Sequence, residues 1–154
     1  MFRKILVPTD GSELSQQAVA AAVSFAREVG AKIAFLYAKP DFAASFYGES
    51  ALMQAAAPEL LYEITERQAQ DILSKATAMA TAADVSSVTF AETTSKPYEA
   101  MIAVAKREHC DLIIMASHGR SGVGGVLLGS ETHKVLTHCG LPVLVYRKSS
   151  EAMK

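Results

Sequence analysis

The chain has 154 residues, about one domain's worth, with 50% apolar and 20% charged types, so it can build a core and is not wholly disordered. Fifteen basic against sixteen acidic residues leave a net charge of -1, which argues against a general polyanion binder. Trp is absent and aromatics are only 7%, so there is little on which to stack bases, and no apolar run approaches the roughly 18–20 residues of a membrane span.

In chain order, Lys4-Ile5-Leu6-Val7 is a compact apolar run closed by Pro8, which reads as a first strand. Leu14, Ala18, Ala21, Phe25 and Val29 then recur at spacings of three and four, the stripe of a helix, and Gly30 supplies its stop. Ile33 to Ala38 is nearly continuous in apolar character, as in a strand covered on both faces. Residues 41–57 lack a clean period and read as a long connection. A second helix starts near Pro58, with Leu61, Ile64, Ile72, Ala76 and Met79 on its inner face.

Val88 to Ala91 is the third strand. Pro97 suits the first turn of a third helix, with Ile102 and Ala105 facing inward. Leu112 to Ala116 is the fourth strand. A glycine-rich loop from Gly119 to Gly129 leads into a short helix, about Ser130 to His138, and Gly140 stops it. Pro142 to Tyr146 is the fifth strand. Residues 1–148 form one domain on this reading, and 149–154 are a polar tail.

Strands alternating with helices imply an α/β domain of Rossmann type, a five-stranded parallel sheet with helices on both faces. Ligands of such sheets bind beyond the carboxyl ends of the strands, where strand order reverses. If the order is 3-2-1-4-5, that crevice lies between strands one and four. Those strands precede the two most unusual loops, Pro8-Thr9-Asp10-Gly11-Ser12 and Ala116-Ser117-His118-Gly119-Arg120.

The glycine-rich loop is the strongest chemical signal. Small residues let backbone N–H groups approach an anion, and Gly129-Ser130 stands where a helix begins. A plain connection capped by Ser130 is the competing reading. Two familiar phosphate motifs fail. A P-loop would need Lys at position 130, and the dinucleotide fingerprint would need Gly where Leu127 stands.

Ala116-Ser117-His118-Gly119, then nine residues, then Gly129-Ser130, resembles the nucleotide-binding signature of the universal stress protein family. Lys4 to Ser12 is similar to that family's opening strand and turn, Asp111 to Met115 to its fourth strand, and Leu141 to Val145 to its last. The first signature glycine is replaced by Ala116, whose methyl stands close to where the family would place the ribose.

The resemblance implies an ATP- or AMP-binding regulator of the stress response, held between the loops after strands one and four. Asp10 would accept from the ribose hydroxyls, with Pro8 and Thr9 walling the nucleoside. Ala38 would offer its backbone to the adenine edge. Ala116 would lie near the ribose. Gly119, Arg120, Gly129 and Ser130 would surround the phosphates, with Ser130 near any bound Mg²⁺, and Met115, Ser117, His118, Glu131 and Thr132 would complete the nucleotide-binding set. Val143, Leu144, Val145 and Tyr146 would pair with a second copy to form a homodimer. No residue looks like a poised base beside the phosphates, so any ATP hydrolysis or autophosphorylation would be slow. Neither nucleic acid nor membrane is an expected partner.

Other readings stand beside these. Asp10 and Glu13 approximate a capping box, and Ser12 is a further capping candidate. Arg120 is either a phosphate ligand or a solvated loop charge. Glu131 would compete with phosphate for the helix terminus unless it points away. A dimeric scaffold that binds no nucleotide is one alternative function. Another is a serine hydrolase, because Ser117 sits in an approximate nucleophile elbow with His133 and His138 downstream. His109-Cys110 and His138-Cys139 lack metal-ligand spacing and read as structural, with Cys110 a small buried hydrophobe. Cys110 and Cys139 are too few for a disulfide framework, and the basic pair before a run ending at Pro8 lacks the form of a secretory signal. The expected compartment is the cytoplasm, with both thiols reduced.

Overall fold

A computed structural model describes residues 1–44, 48–119 and 128–148. Five parallel strands form one sheet in the order β3-β2-β1-β4-β5. They are β1 (Lys4–Pro8), β2 (Lys32–Pro40), β3 (Ser87–Thr94), β4 (Leu112–Ala116) and β5 (Val143–Tyr146). The helices are α1 (Glu13–Val29), α2 (Glu49–Ala56), α3 (Pro58–Ala82), α4 (Pro97–Arg107) and α5 (Ser130–His138).

Strand alternation divides the core in two. Ile5 and Val7 of β1, with Ile33, Phe35 and Tyr37 of β2, pack under α1 and α3. Leu6, Ala34 and Leu36 point the other way, under Met101, Val104 and Ala105 of α4 and Val135 of α5. Phe35, Ile5, Leu6, Ile33 and Leu36 are completely buried, each stabilising the fold by about 1.5–3 kcal/mol. The apolar runs of β1 and β2 are continuous because both sheet faces are covered.

The predicted signals for α1 act as expected at its end. Gly30 takes φ 72° and returns its N–H to Ala26, a left-handed closure that suits glycine. At its start the cap is Ser12, whose hydroxyl accepts from the Ser15 N–H at 3.3 Å. Asp10 instead accepts from the Ser12 N–H at 2.9 Å, so the Asp10–Glu13 capping box does not form.

Three boundaries differ from expectation. Residues 49–56 are helical, although among the residues whose burial is described there none is fully buried to mark a stripe. β2 runs on through Pro40, and β3 extends from Ser87 to Thr94 rather than from Val88 to Ala91. β3 is an edge strand with Val88 exposed, so its apolar signal is weak. Burial pushes the Cys110 thiol up to about 11, which makes it a poor nucleophile and fits the reading as a small hydrophobe. No helix among the described residues is long and apolar enough to cross a membrane.

Candidate functional site

β1 and β4 are neighbours, yet the chain leaves β1 for α1 on one face and reaches α5 from β4 on the other. Their carboxyl ends therefore bound a crevice at the switch point of the sheet. It holds a cavity of about 630 Å³, a size suited to a small ligand. The four buried polar residues among those described, Thr9, Ser15, Ser117 and Thr132, all belong to this end of the sheet. Burying such groups is costly without partners, and none of their buried side-chain atoms lacks one.

The turn after β1 is braced from within. Thr9 and Ser15 share a hydroxyl–hydroxyl bond of 2.6 Å, and the Asp10 N–H donates to Ser15 Oγ at 3.2 Å. The Thr9 N–H donates to the Leu36 carbonyl, tying the turn to β2. Asp10 is aimed across the crevice. A Cβ built on Gly119 would stand 2.6 Å from Asp10 Oδ2, so only glycine at 119 leaves the carboxylate where it is.

The start of α5 is clamped to the end of β4. The Gly129 N–H donates to the Ser117 carbonyl at 2.7 Å, and Thr132 Oγ1 donates to the Ala116 carbonyl at 3.0 Å. A Cβ at 129 would meet His118 Cα at 3.0 Å and the Ser117 oxygen at 3.2 Å, so a side chain there would fit only if this backbone gave way by a few tenths of an ångström. Gly129, at the N-cap of α5, has no side chain to cap it, and no other cap is seen among the described residues. The N–H groups of Ser130, Glu131 and Thr132 therefore stand at its first turn without intrahelical acceptors, and these residues line the cavity.

Glu131 does not occupy that terminus. Its Oε2 accepts from the Tyr98 N–H at 2.8 Å, in the first turn of α4, and its Oε1 pairs with Lys134 at 3.2 Å. The carboxylate that would have competed with an anion at α5 serves the dipole of α4 instead.

The β2 wall supplies directional backbone groups. In a parallel strand, residues two apart present N–H and C=O to the same neighbour. Leu36 gives its carbonyl to Thr9, and β1 pairing ends at Pro8 opposite Leu36. Ala38 thus projects its N–H and C=O on the same side, past the end of β1. Ala116 lies within β4 opposite Tyr146, in strand conformation, so its methyl introduces no backbone strain.

Of the expected residues, Pro8, Thr9, Asp10, Ala38, Met115, Ala116, His118, Gly119, Gly129, Ser130, Glu131 and Thr132 line this one cavity. Ser117 is buried behind it, with its hydroxyl 3.2 Å from His118 Nδ1. Arg120 lies outside the described residues. Sequence reading missed Ser15, Tyr37, Gln68 and Met101, which also belong to the walls. Ser15 carried a faint signal, a polar residue beside the apolar stripe of α1, whereas Gln68 carried none.

The elbow reading of Ser117 lacks its other parts. The ring beside its hydroxyl is that of the adjacent His118, not of His133 or His138, and His138 instead packs on Tyr98 with ring centroids 5.5 Å apart. No group of three or more His, Cys, Asp or Glu residues among those described is placed to hold a metal ion.

Fold and crevice together define a Rossmann-like α/β protein with a cleft at its switch point. The sequence profile of the universal stress protein family matches residues 1–147, and the chain belongs to that family. It is 31% identical to the universal stress protein YxiE of Bacillus subtilis over 150 residues, covering 96% of this chain and all of that one. It is 30% identical to the universal stress protein MJ0531 of Methanocaldococcus jannaschii, covering 96% and 84%. The solved structure of MJ0577 from the same archaeon superposes with a TM-score of 0.78 at 26% identity, covering 97% of this chain and 99% of that one. Two further structures share the fold alone. One is a universal stress protein in complex with cAMP (TM-score 0.65, 23% identity, coverage 96% and 98%). The other, from Archaeoglobus fulgidus, is in complex with dAMP (0.66, 16%, 94% and 98%).

Proposed function

We propose that this chain is a stress-response regulator that binds an adenine nucleotide, ATP or AMP, in the crevice between the loops after β1 and β4. One observation carries the reading. A single cavity contains, from one wall to the other, the backbone groups of Ala38, the carboxylate of Asp10 and the uncapped terminus of α5. A base, a ribose and a phosphate chain need those three environments in that order.

Ala38 N–H donates to a ring nitrogen and its C=O accepts from an exocyclic amine. Asp10 accepts from the ribose hydroxyls, and Pro8 and Thr9 wall the nucleoside. Met115, Ala116 and His118 line the opposite side, with Ser117 supporting them. Phosphates lie against Gly119, Gly129 and the N–H groups of Ser130, Glu131 and Thr132, where the α5 dipole favours negative charge. Arg120 is placed by sequence beside them. Mg²⁺ accompanying ATP would be held chiefly by the phosphates, with the Ser130 hydroxyl as protein ligand. The complexes of this fold with cAMP and dAMP make adenine nucleotides the ligands to test first. The same reading includes a homodimer through β5, a sheet edge that leaves Leu144 40% exposed, in a cytoplasmic protein.

Calorimetric titration of nucleotide-free protein with ATP, with and without Mg²⁺, tests this. Micromolar affinity is expected, weakened ~30-fold in Asp10→Ala by loss of charge-assisted hydrogen bonds. Folded protein that binds neither ATP nor AMP at millimolar concentration overturns the reading and favours a scaffold of the same fold.

A further inference from the structure

We propose that Gln68 is the residue that reads the base, its carboxamide bonding the N7 and N6 edge of adenine; this rests on the nucleotide reading above. Gln68 lies on α3, on the face opposite α4, and lines the crevice together with Tyr37, Ala38 and Pro40. It also borders a second, smaller cavity of about 250 Å³ between α1 and α3. The side chain therefore forms the partition between two spaces and is only half-buried.

Its position along the crevice is fixed by a neighbouring ion pair. Lys39 follows Ala38 in β2 and bonds Glu66, two residues before Gln68. Lys39 is only 12% exposed, so this pair is shielded and ties that turn of α3 to the end of β2. Gln68 is thereby held at the base end of the crevice, away from the α5 terminus.

Its chemistry is uncommitted. The Gln68 carboxamide makes no hydrogen bond among the described residues, whereas the nearby hydroxyls of Thr9 and Ser15 are bonded to each other. A carboxamide carries one acceptor and two donors. If Ala38 takes the Watson–Crick edge, adenine still presents N7 as acceptor and the second N6 hydrogen as donor. A glutamine side chain matches that pair in a bidentate arrangement. Guanine has acceptors at both N7 and O6, so it would satisfy only the amide N–H₂ and would set O6 against the Ala38 carbonyl. The result is selection for adenine by one backbone residue and one side chain on different elements.

The test compares ATP with 7-deaza-ATP, which lacks the N7 acceptor but keeps the amine, ribose and triphosphate. Parent protein should bind 7-deaza-ATP about tenfold more weakly than ATP, the value of one good hydrogen bond. Gln68→Met should bind ATP about tenfold more weakly and should treat the two nucleotides alike within about twofold. Equal affinity of the parent for both nucleotides overturns the role of Gln68 without any variant being needed. A 7-deaza penalty that persists in Gln68→Met overturns it too. Absence of ATP binding to the parent overturns the nucleotide reading itself, and this one with it.

Discussion

Two helices begin at the crevice, and their first turns are built differently. α1 is closed by its own sequence: Ser12 caps it, and Asp10 holds the Ser12 N–H. α5 starts at Gly129 with no side-chain cap, and the acid in its first turn reaches away to α4. A helix terminus leaves N–H groups that must be satisfied somewhere. At α1 the chain satisfies them locally, which is a structural solution. At α5 the cap position is a glycine that satisfies none with a side chain, and on the proposed reading the ligand does so. The contrast separates a cap from the proposed binding site more sharply than the presence of glycine does.

Changes at these two termini should have effects of very different size. The largest is expected at Gly129. Gly129→Glu sets a side chain against His118 and Ser117 and adds a negative charge at the terminus that would hold phosphate. ATP affinity should fall at least ~100-fold, while Gly129→Ala, carrying the steric part alone, should lose less. Equal affinity in parent and Gly129→Glu, measured by calorimetry, would remove α5 from the site.

Glu131→Ala comes next. It takes the acceptor from the Tyr98 N–H and should cost about 1 kcal/mol, a fall in Tm of roughly 2–4 °C. ATP affinity should change by less than ~3-fold, because this carboxylate is engaged by α4 and not by α5. A tenfold gain in affinity would show that Glu131 competes with the ligand after all. Ser12→Ala is the smallest. Its cap bond is long, so a loss of about 0.5–1 kcal/mol in denaturant unfolding is expected, with affinity unchanged. Any marked loss of affinity there would mean that the α1 turn is not independent of its cap.

Much of the fold was legible because burial on both faces writes itself as apolar runs. β1, β2 and β4 carry Ile5 to Val7, Ile33 to Leu36 and Leu112 to Met115, and all of these are buried. The bounds of α5 were legible for a different reason: glycines crowd before Ser130 and polar residues follow. α2 was not legible, because periodicity finds only helices that bury a stripe. This one is Ala-rich with Leu52 exposed, so helix propensity favours it where pattern is silent. The crevice was half legible. Asp10 and Gly119 stood out in their loops, but their closeness across the sheet depends on strand order. Gln68 was invisible, one polar residue among many on α3, until Lys39 and Glu66 fixed that helix against β2.

The bracing of residues 9–15 also bears on how a ligand would be received. Thr9, Asp10, Gly11, Ser12 and Ser15 are already hydrogen-bonded to one another. Immobilising a rotamer-rich side chain on binding costs about 0.5–1.5 kcal/mol. Here that ordering is completed during folding, so this half of the crevice is preorganised. Its contribution to affinity would show as a favourable binding entropy relative to a turn that had to be assembled around the ligand.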